Sequence, residues 1–143
     1  MKTFTDLAPP ASSPRLMLST RLVYELGDPH STLRATTDRR GAAVLIYAGG
    51  EIDACNEETW RRLVSEAAGV VTGQGPLIVD VTGLDFMACC AVEVLAEQAE
   101  ILRRRGVELR LVSPQRIVSR IVDACGLSAV LPIYPTADSA LAR

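Results

Sequence analysis

The sequence predicts an α/β domain with a mostly parallel, mixed sheet of about five strands and four helices, the first two strands forming a hairpin. Short apolar runs of strand length alternate with longer segments whose apolar residues recur at helical spacing. Such alternation predicts parallel strands joined by right-handed helical crossovers. The first two runs are the exception: only Asp38-Arg39-Arg40-Gly41 separates them, which reads as a hairpin connection. The third observation is the stretch from Leu77 to Arg104, a strand, a short loop and an amphipathic helix in succession.

Residues 1–32 read as an N-terminal arm, partly disordered and partly a docking extension. Pro9, Pro10 and Pro14 stand among small polar residues in its first part. Arg15 to Leu26 is apolar enough to dock but has no clean period, and admits an added strand, a short helix or a dimer contact. Gly27-Asp28-Pro29-His30-Ser31 is turn chemistry. The domain proper is expected over residues 33–143. Leu33 to Thr37 reads as its first strand and Ala42 to Ala48 as a second, more buried one, ended by Gly49-Gly50-Glu51-Ile52-Asp53. Asn56 suits a helix N-cap, with Glu57 and Glu58 in the electropositive first turn. Trp60, Leu63, Val64, Ala67 and Val71 then share the apolar face of a helix.

Leu77 to Asp80 is a buried strand, Val81 to Asp85 a turn, and Phe86 to Ala91 the opening of the next helix. Val92, Leu95, Ala96, Ala99 and Leu102 form its buried face. Glu93, Glu97, Glu100 and Arg104 form the opposite one, with Glu100 and Arg104 an i,i+4 pair. Val107 to Val112 alternates as a strand. Ser113-Pro114 reads as N-cap and first helical position, followed by a face of Val118, Ile121, Val122 and Cys125. Gly126 stops that helix in a left-handed conformation. Val130 to Tyr134 is a last strand, and Thr136 starts a terminal helix through Leu141.

Composition narrows the function. Fifteen basic and 17 acidic side chains in 143 residues leave a net charge of −2, with no basic block and few aromatics. Nucleic acid, which needs a basic surface, is disfavoured as a partner. The longest apolar run, Ala42 to Ala48, is too short for membrane insertion, and no signal peptide is apparent, so a cytoplasmic protein is expected. His30 is the single histidine and precedes the domain, and no Gly-rich phosphate loop is present, so the chain does not read as an enzyme. No cofactor is expected. Cys55, Cys89, Cys90 and Cys125 lack metal-ligand spacing, and reduced thiols are the expected state.

In parallel sheets, sites lie beyond the carboxyl ends of the strands. Asp53-Ala54-Cys55 and Ala88-Cys89-Cys90 both follow strand ends and should be neighbours. A contact surface is expected from Asp53, Ala54, Cys55, Ala88, Cys90, Ala91 and Glu93. Asp53 serves either as a contact or as a turn residue, and Asp80 orders the loop beneath by accepting N–H groups. If a disulfide forms, Cys55 with Cys89 is the expected pair, because adjacent Cys89 and Cys90 would close a strained ring.

The layout resembles the STAS domain, shared by bacterial anti-sigma factor antagonists and the cytoplasmic ends of sulfate transporters. The resemblance runs from about Leu33 to Leu141. It is carried by Gly50-Glu51-Ile52-Asp53, by Leu77-Ile78-Val79-Asp80 leading to Leu84-Asp85-Phe86-Met87, and by Gly106, Gly126-Leu127 and Ala140. It implies an antagonist (anti-anti-sigma factor) that binds an anti-sigma factor of kinase-like fold, with a homodimer as an open alternative. It also implies a regulatory serine at the start of the second helix, in an Asp-Ser-Ser-Gly-like motif. Here Ala88-Cys89-Cys90-Ala91 occupies that motif, so Cys89 stands at the phosphorylatable position. Two other functions fit the same fold: a thiol-based redox sensor and a small-ligand or nucleotide binder.

Overall fold

A computed structural model describes residues 18–142. The proline-containing start of the arm lies outside the described residues, as do residues 15–17 of its apolar segment. Helix α1, Thr20–Gly27, opens the described part. Of the three conformations the sequence admits there, the helix is adopted. Ser19 caps it, its Oγ accepting from the Leu22 amide at 3.2 Å. Leu22 and Leu26 are the residues it buries. With α1 the described residues carry five helices rather than four.

Strands β1, Leu33–Arg40, and β2, Ala43–Ile52, pair antiparallel. Both outrun their expected bounds, and only Gly41 and Ala42 are left to turn the hairpin. Helix α2, Glu57–Gly69, buries Trp60, Leu63, Val64 and Ala67, the face that the periodicity predicts. Strand β3, Leu77–Met87, follows, then helix α3, Cys89–Arg104, and strand β4, Leu109–Val112. Helix α4, Arg116–Ala124, strand β5, Ile133–Tyr134, and helix α5, Ala137–Leu141, complete the chain. The sheet order is β1-β2-β3-β4-β5, with every pair after the hairpin parallel.

Consecutive parallel neighbours with right-handed crossovers place their connecting helices on one face. The burial follows that rule. Val44, Ile46, Val79, Leu109 and Leu111 join the helices in the main core, which Leu22, Trp60, Leu95 and Val118 enter. The alternate residues Leu45, Ile78 and Val112 meet Ala140 on the other face, under α5. A capping box between Thr136 and Ser139 starts that short helix.

Several local expectations are corrected. The segment Val81–Asp85 is strand, not loop: β3 continues past Asp80 to Met87, and Phe86 and Met87 belong to it rather than opening α3. Two register shifts against β2 absorb the extra residues, so turn-forming residues sit in bulges while pairing persists to Ile52 and Met87. Asn56 does stand at the N-cap of α2 but makes no capping bond. Its Oδ1, the atom a cap would use, accepts from the Asp53 amide at 3.0 Å, and its Nδ2 donates to Thr32 Oγ1 at 3.1 Å and to the Glu51 carbonyl at 2.9 Å. Helix α4 begins two residues later than expected, because Ser113 Oγ accepts from the Gln115 amide at 3.1 Å and keeps this segment a turn. Glu100 pairs with Arg103 at 3.0 Å, one turn position earlier than Arg104.

Candidate functional site

The site is built where β2 and β3 end side by side. The last parallel pair is Ile52 with Met87, and the Ala88 amide donates to the Ile52 carbonyl at 2.9 Å. That bond seats the Asp53–Cys55 loop next to the first turn of α3. In the loop, the Asp53 amide donates to Asn56 Oδ1 at 3.0 Å, and Asp53 Oδ1 accepts from the Cys55 amide at 2.9 Å. The Asp53 carboxylate therefore orders its own turn. Ala54 and Cys55 stand exposed beyond it.

Ala88 is the N-cap of α3 and has no side-chain acceptor, so the first turn of that helix has no side-chain cap. Cys89 and Glu93, one turn apart, are exposed, and Ala88 and Cys90 are half-buried. Ala91 does not reach the surface. It is fully buried, and its carbonyl accepts from Trp60 Nε1 at 3.1 Å. A buried indole N–H needs an acceptor, and the first turn of α3 supplies it. Below this level Asp80 Oδ1 accepts from the Thr82 amide at 2.9 Å, inside the first irregularity of β3.

The three thiols near this face have different surroundings. Cys90 sits against α2: burial, followed by the charge and hydrogen bond of Glu57, raises its thiol above the ordinary range. Glu57 also accepts from Arg61 at 3.2 Å, and Arg61 bridges to Glu97 on α3. The Glu97 hydrogen bond is the main reason why the guanidinium is held above its ordinary pKa. Cys89 faces the other way, lining a surface hollow with Glu93, Ala96, Glu97, Cys125 and Leu127. Cys55 lines a separate hollow with Tyr24, His30, Asp53 and Thr59. The thiol neighbour of Cys89 is thus Cys125, at the end of α4, and not Cys55. The sequence places Cys125 on the core face of its helix, but its side chain is half-buried and reaches this hollow.

Residues that the sequence reading did not assign to the contact face also flank it. Phe86 is 53% exposed and Ile117 56% exposed, and both line an apolar groove with Leu84, Val118 and Ile121. A bulged β3 turns Phe86 outward, which periodicity alone does not signal. The amphipathic pattern of α4 does leave Ile117 off the buried face of Val118 and Val122.

Among the described residues no cluster of three or more His, Cys, Asp or Glu side chains is placed to hold a metal ion. No described helix is long and apolar enough to cross a membrane. One mixed sheet, helices packed mainly on one face, and an uncapped helix start projecting beside a strand-end loop define a class of small α/β domain whose prominent surface is a helix N-terminus. The family model of the STAS domain matches residues 34–140, and the chain belongs to that family. It is 68% identical over 134 residues to Rv2638 of Mycobacterium tuberculosis, provisionally named an anti-anti-sigma factor, covering 94% of this chain and 90% of that one. It is 56% identical over 111 residues to the anti-sigma-F factor antagonist RsfA of the same species, covering 78% of this chain and 87% of RsfA. Among solved structures, an anti-sigma factor antagonist from Mycobacterium paratuberculosis superposes with a TM-score of 0.65 at 22% identity, covering 80% of this chain and 94% of that one. The antagonist SpoIIAA in its unphosphorylated form gives 0.62 at 20% identity, covering 75% and 92%. At those identities the two structures establish the fold.

Proposed function

We propose that this protein is a cytoplasmic anti-sigma factor antagonist, a non-enzymatic module that binds an anti-sigma factor of kinase-like fold. The observation that carries this reading is the 56% identity to RsfA, which is named as such an antagonist, over most of both chains. The contact face comprises Asp53, Ala54, Cys55, Ala88, Cys89, Cys90 and Glu93, with Asp80 ordering the strand beneath it. Ala91, buried under Trp60, acts only through the backbone. Exposed side chains around a small projecting turn suit a protein partner, which recognises shape and a few anchors.

In this reading Cys89 stands where such antagonists carry their regulatory serine, and the chemistry of that switch is missing. Cys89 has no hydroxyl, so a serine kinase has no acceptor at this turn. The partner would be captured without being able to reverse its capture by phosphorylation here.

The test is capture of a purified kinase-like anti-sigma factor from the same genome under reducing conditions, with and without ATP. The expected result is binding in both, with no phosphate found by mass spectrometry on residues 88–91. Glu93→Arg should weaken binding about tenfold or more, equivalent to about 1.4 kcal/mol, while leaving the fold intact because Glu93 is exposed. Unchanged affinity in that variant would move the contact face elsewhere.

A further inference from the structure

We propose that helix α1 is a second contact element for the anti-sigma factor, with Tyr24 as its anchor, and that the hollow between α1 and the Asp53–Cys55 loop takes a basic side chain of that partner. The proposal rests on the antagonist reading above. It extends the contact face to a helix outside residues 34–140, the span that the STAS family model matches.

Helix α1 is fixed to the domain on one side only. Leu22 and Leu26 are buried, and Ser19 Oγ donates to Glu66 at 2.6 Å. Glu25 accepts from Arg62 at 2.6 Å and from Thr59 at 3.4 Å. An eight-residue helix does not stand alone in water, so these ties to α2 hold it in place. The opposite side of such a helix is ordinarily polar. Here it carries Val23, 55% exposed, next to Tyr24, 80% exposed. A ring so exposed contributes little to the fold. Tyrosine is also among the residues that most often anchor protein interfaces.

Tyr24 is continuous with the contact face. It lines a hollow of about 440 Å³ whose other walls include Asp28, Asp53, Cys55 and Thr59. The wall between helix and loop is held firmly: the Thr32 carbonyl accepts from the Glu51 amide at 3.0 Å, and Thr32 Oγ1 accepts from Asn56 at 3.1 Å. Charge then selects the guest. Three carboxylates, Glu25, Asp28 and Asp53, surround the hollow. Glu25 is paired with Arg21 and Arg62. Asp28 and Asp53 accept backbone amides, those of His30 and Cys55, each at 2.9 Å. Among the described residues no Lys, Arg or His side chain forms an ion pair with either. An aromatic face beside carboxylates without a cation fits a guanidinium or ammonium group, stacked on the ring and ending at Asp28. A second copy of this face would instead set like charges against each other.

The test measures the affinity of the purified kinase-like anti-sigma factor from the same genome for the reduced parent, Tyr24→Ala and Asp28→Asn. Tyr24→Ala should weaken binding about tenfold or more, with the urea midpoint of the parent. Asp28→Asn keeps the oxygen that accepts the His30 amide and loses only the charge. It should weaken binding about threefold or more and reduce the loss of affinity between about 0.05 and 0.5 M salt. Unchanged affinity in Tyr24→Ala overturns the proposal, and so does a lowered midpoint, which would make the ring structural. A salt dependence in Asp28→Asn equal to that of the parent overturns the basic guest. A parent that captures no anti-sigma factor defeats the antagonist reading and this extension with it. A parent that binds, weakened by Glu93→Arg and not by Tyr24→Ala, defeats the extension alone.

Discussion

Ala91 shows how one residue changes role between a pattern and a fold. By spacing it belongs to the motif at the head of α3, next to Cys89 and Cys90. In three dimensions it is fully buried, and its carbonyl takes the Trp60 indole N–H. Ala91→Arg therefore tests the core and not the surface. An unpaired guanidinium beside a buried tryptophan should cost more than about 4 kcal/mol. The expected outcome is loss of the cooperative urea transition and of near-ultraviolet circular dichroism. A folded, partner-binding Ala91→Arg protein would show that the first turn of α3 is looser than described. Glu93 provides the contrast: two residues along, it is exposed, and reversing its charge should touch binding alone.

At the scale of an element, β2 and β3 decide where the contact face stands. Their pairing to Ile52 and Met87 brings two loops together that lie more than thirty residues apart. Gly50 lies near the end of that pairing with φ 87°, and an added Cβ would sit 2.0 Å from the Thr32 carbonyl oxygen. Both the conformation and the space require glycine. Gly50→Ala should destabilise the domain by roughly 1–3 kcal/mol, read as a lower urea midpoint at unchanged slope. An unchanged midpoint would mean that the Thr32 strand entry moves aside at no cost. Helix α1 contributes at the neighbouring edge: Glu66 of α2 accepts from the Ser19 amide at 2.8 Å, and Glu25 pairs with Arg62 at 2.6 Å.

For the molecule as a whole, the two sheet faces differ in kind. One is covered by α1 to α4 and is apolar. The other carries α5 over a smaller core and also holds Asp38, Arg40, Tyr47 and Asp80. Asp38 is fully buried, and its carboxylate accepts from the Arg39 amide at 2.8 Å and from Arg40 Nε at 3.2 Å. Tyr47 has a pKa above its ordinary 10.0, chiefly from burial. Arg40 opposes that rise, while Asp38, Asp80 and Asp138 add to it. A phenol with a raised pKa binds its proton more tightly folded than unfolded. The stability that it contributes is complete below its ordinary value and is lost as pH climbs through the folded value. Urea midpoints should therefore fall as pH rises from about 10 upward, and less steeply in Tyr47→Phe than in the parent. Equal slopes would place the alkaline sensitivity on other groups.

By itself the sequence determined the α/β class, the hairpin followed by parallel strands, the buried face of α2 and most of those of α3 and α4, where Ala96, Ile121 and Cys125 are only half-buried. Those properties follow from local periodicity, because a helix repeats near 3.6 residues and a strand every two, and burial selects one side of each. It also placed the Asp53 and Ala88 loops as neighbours, since both follow strands that had to be parallel. Only the tertiary structure decided the rest. Val81 to Asp85 carries turn residues, yet pairing with β2 holds it as bulged strand, and no local signal reports a neighbour's hydrogen bonds. Asn56 has the composition of a cap, but its Oδ1, the atom that would cap, accepts from the Asp53 amide, while its Nδ2 is tied to Thr32 and Glu51. Cys125 meets Cys89 because α3 and α4 pack beside one another, and that packing is set by the sheet between them in sequence. The separation of Cys90 and Cys55 from the hollow that Cys89 and Cys125 share depends on which element each side chain faces, a relation between elements that a linear pattern does not contain.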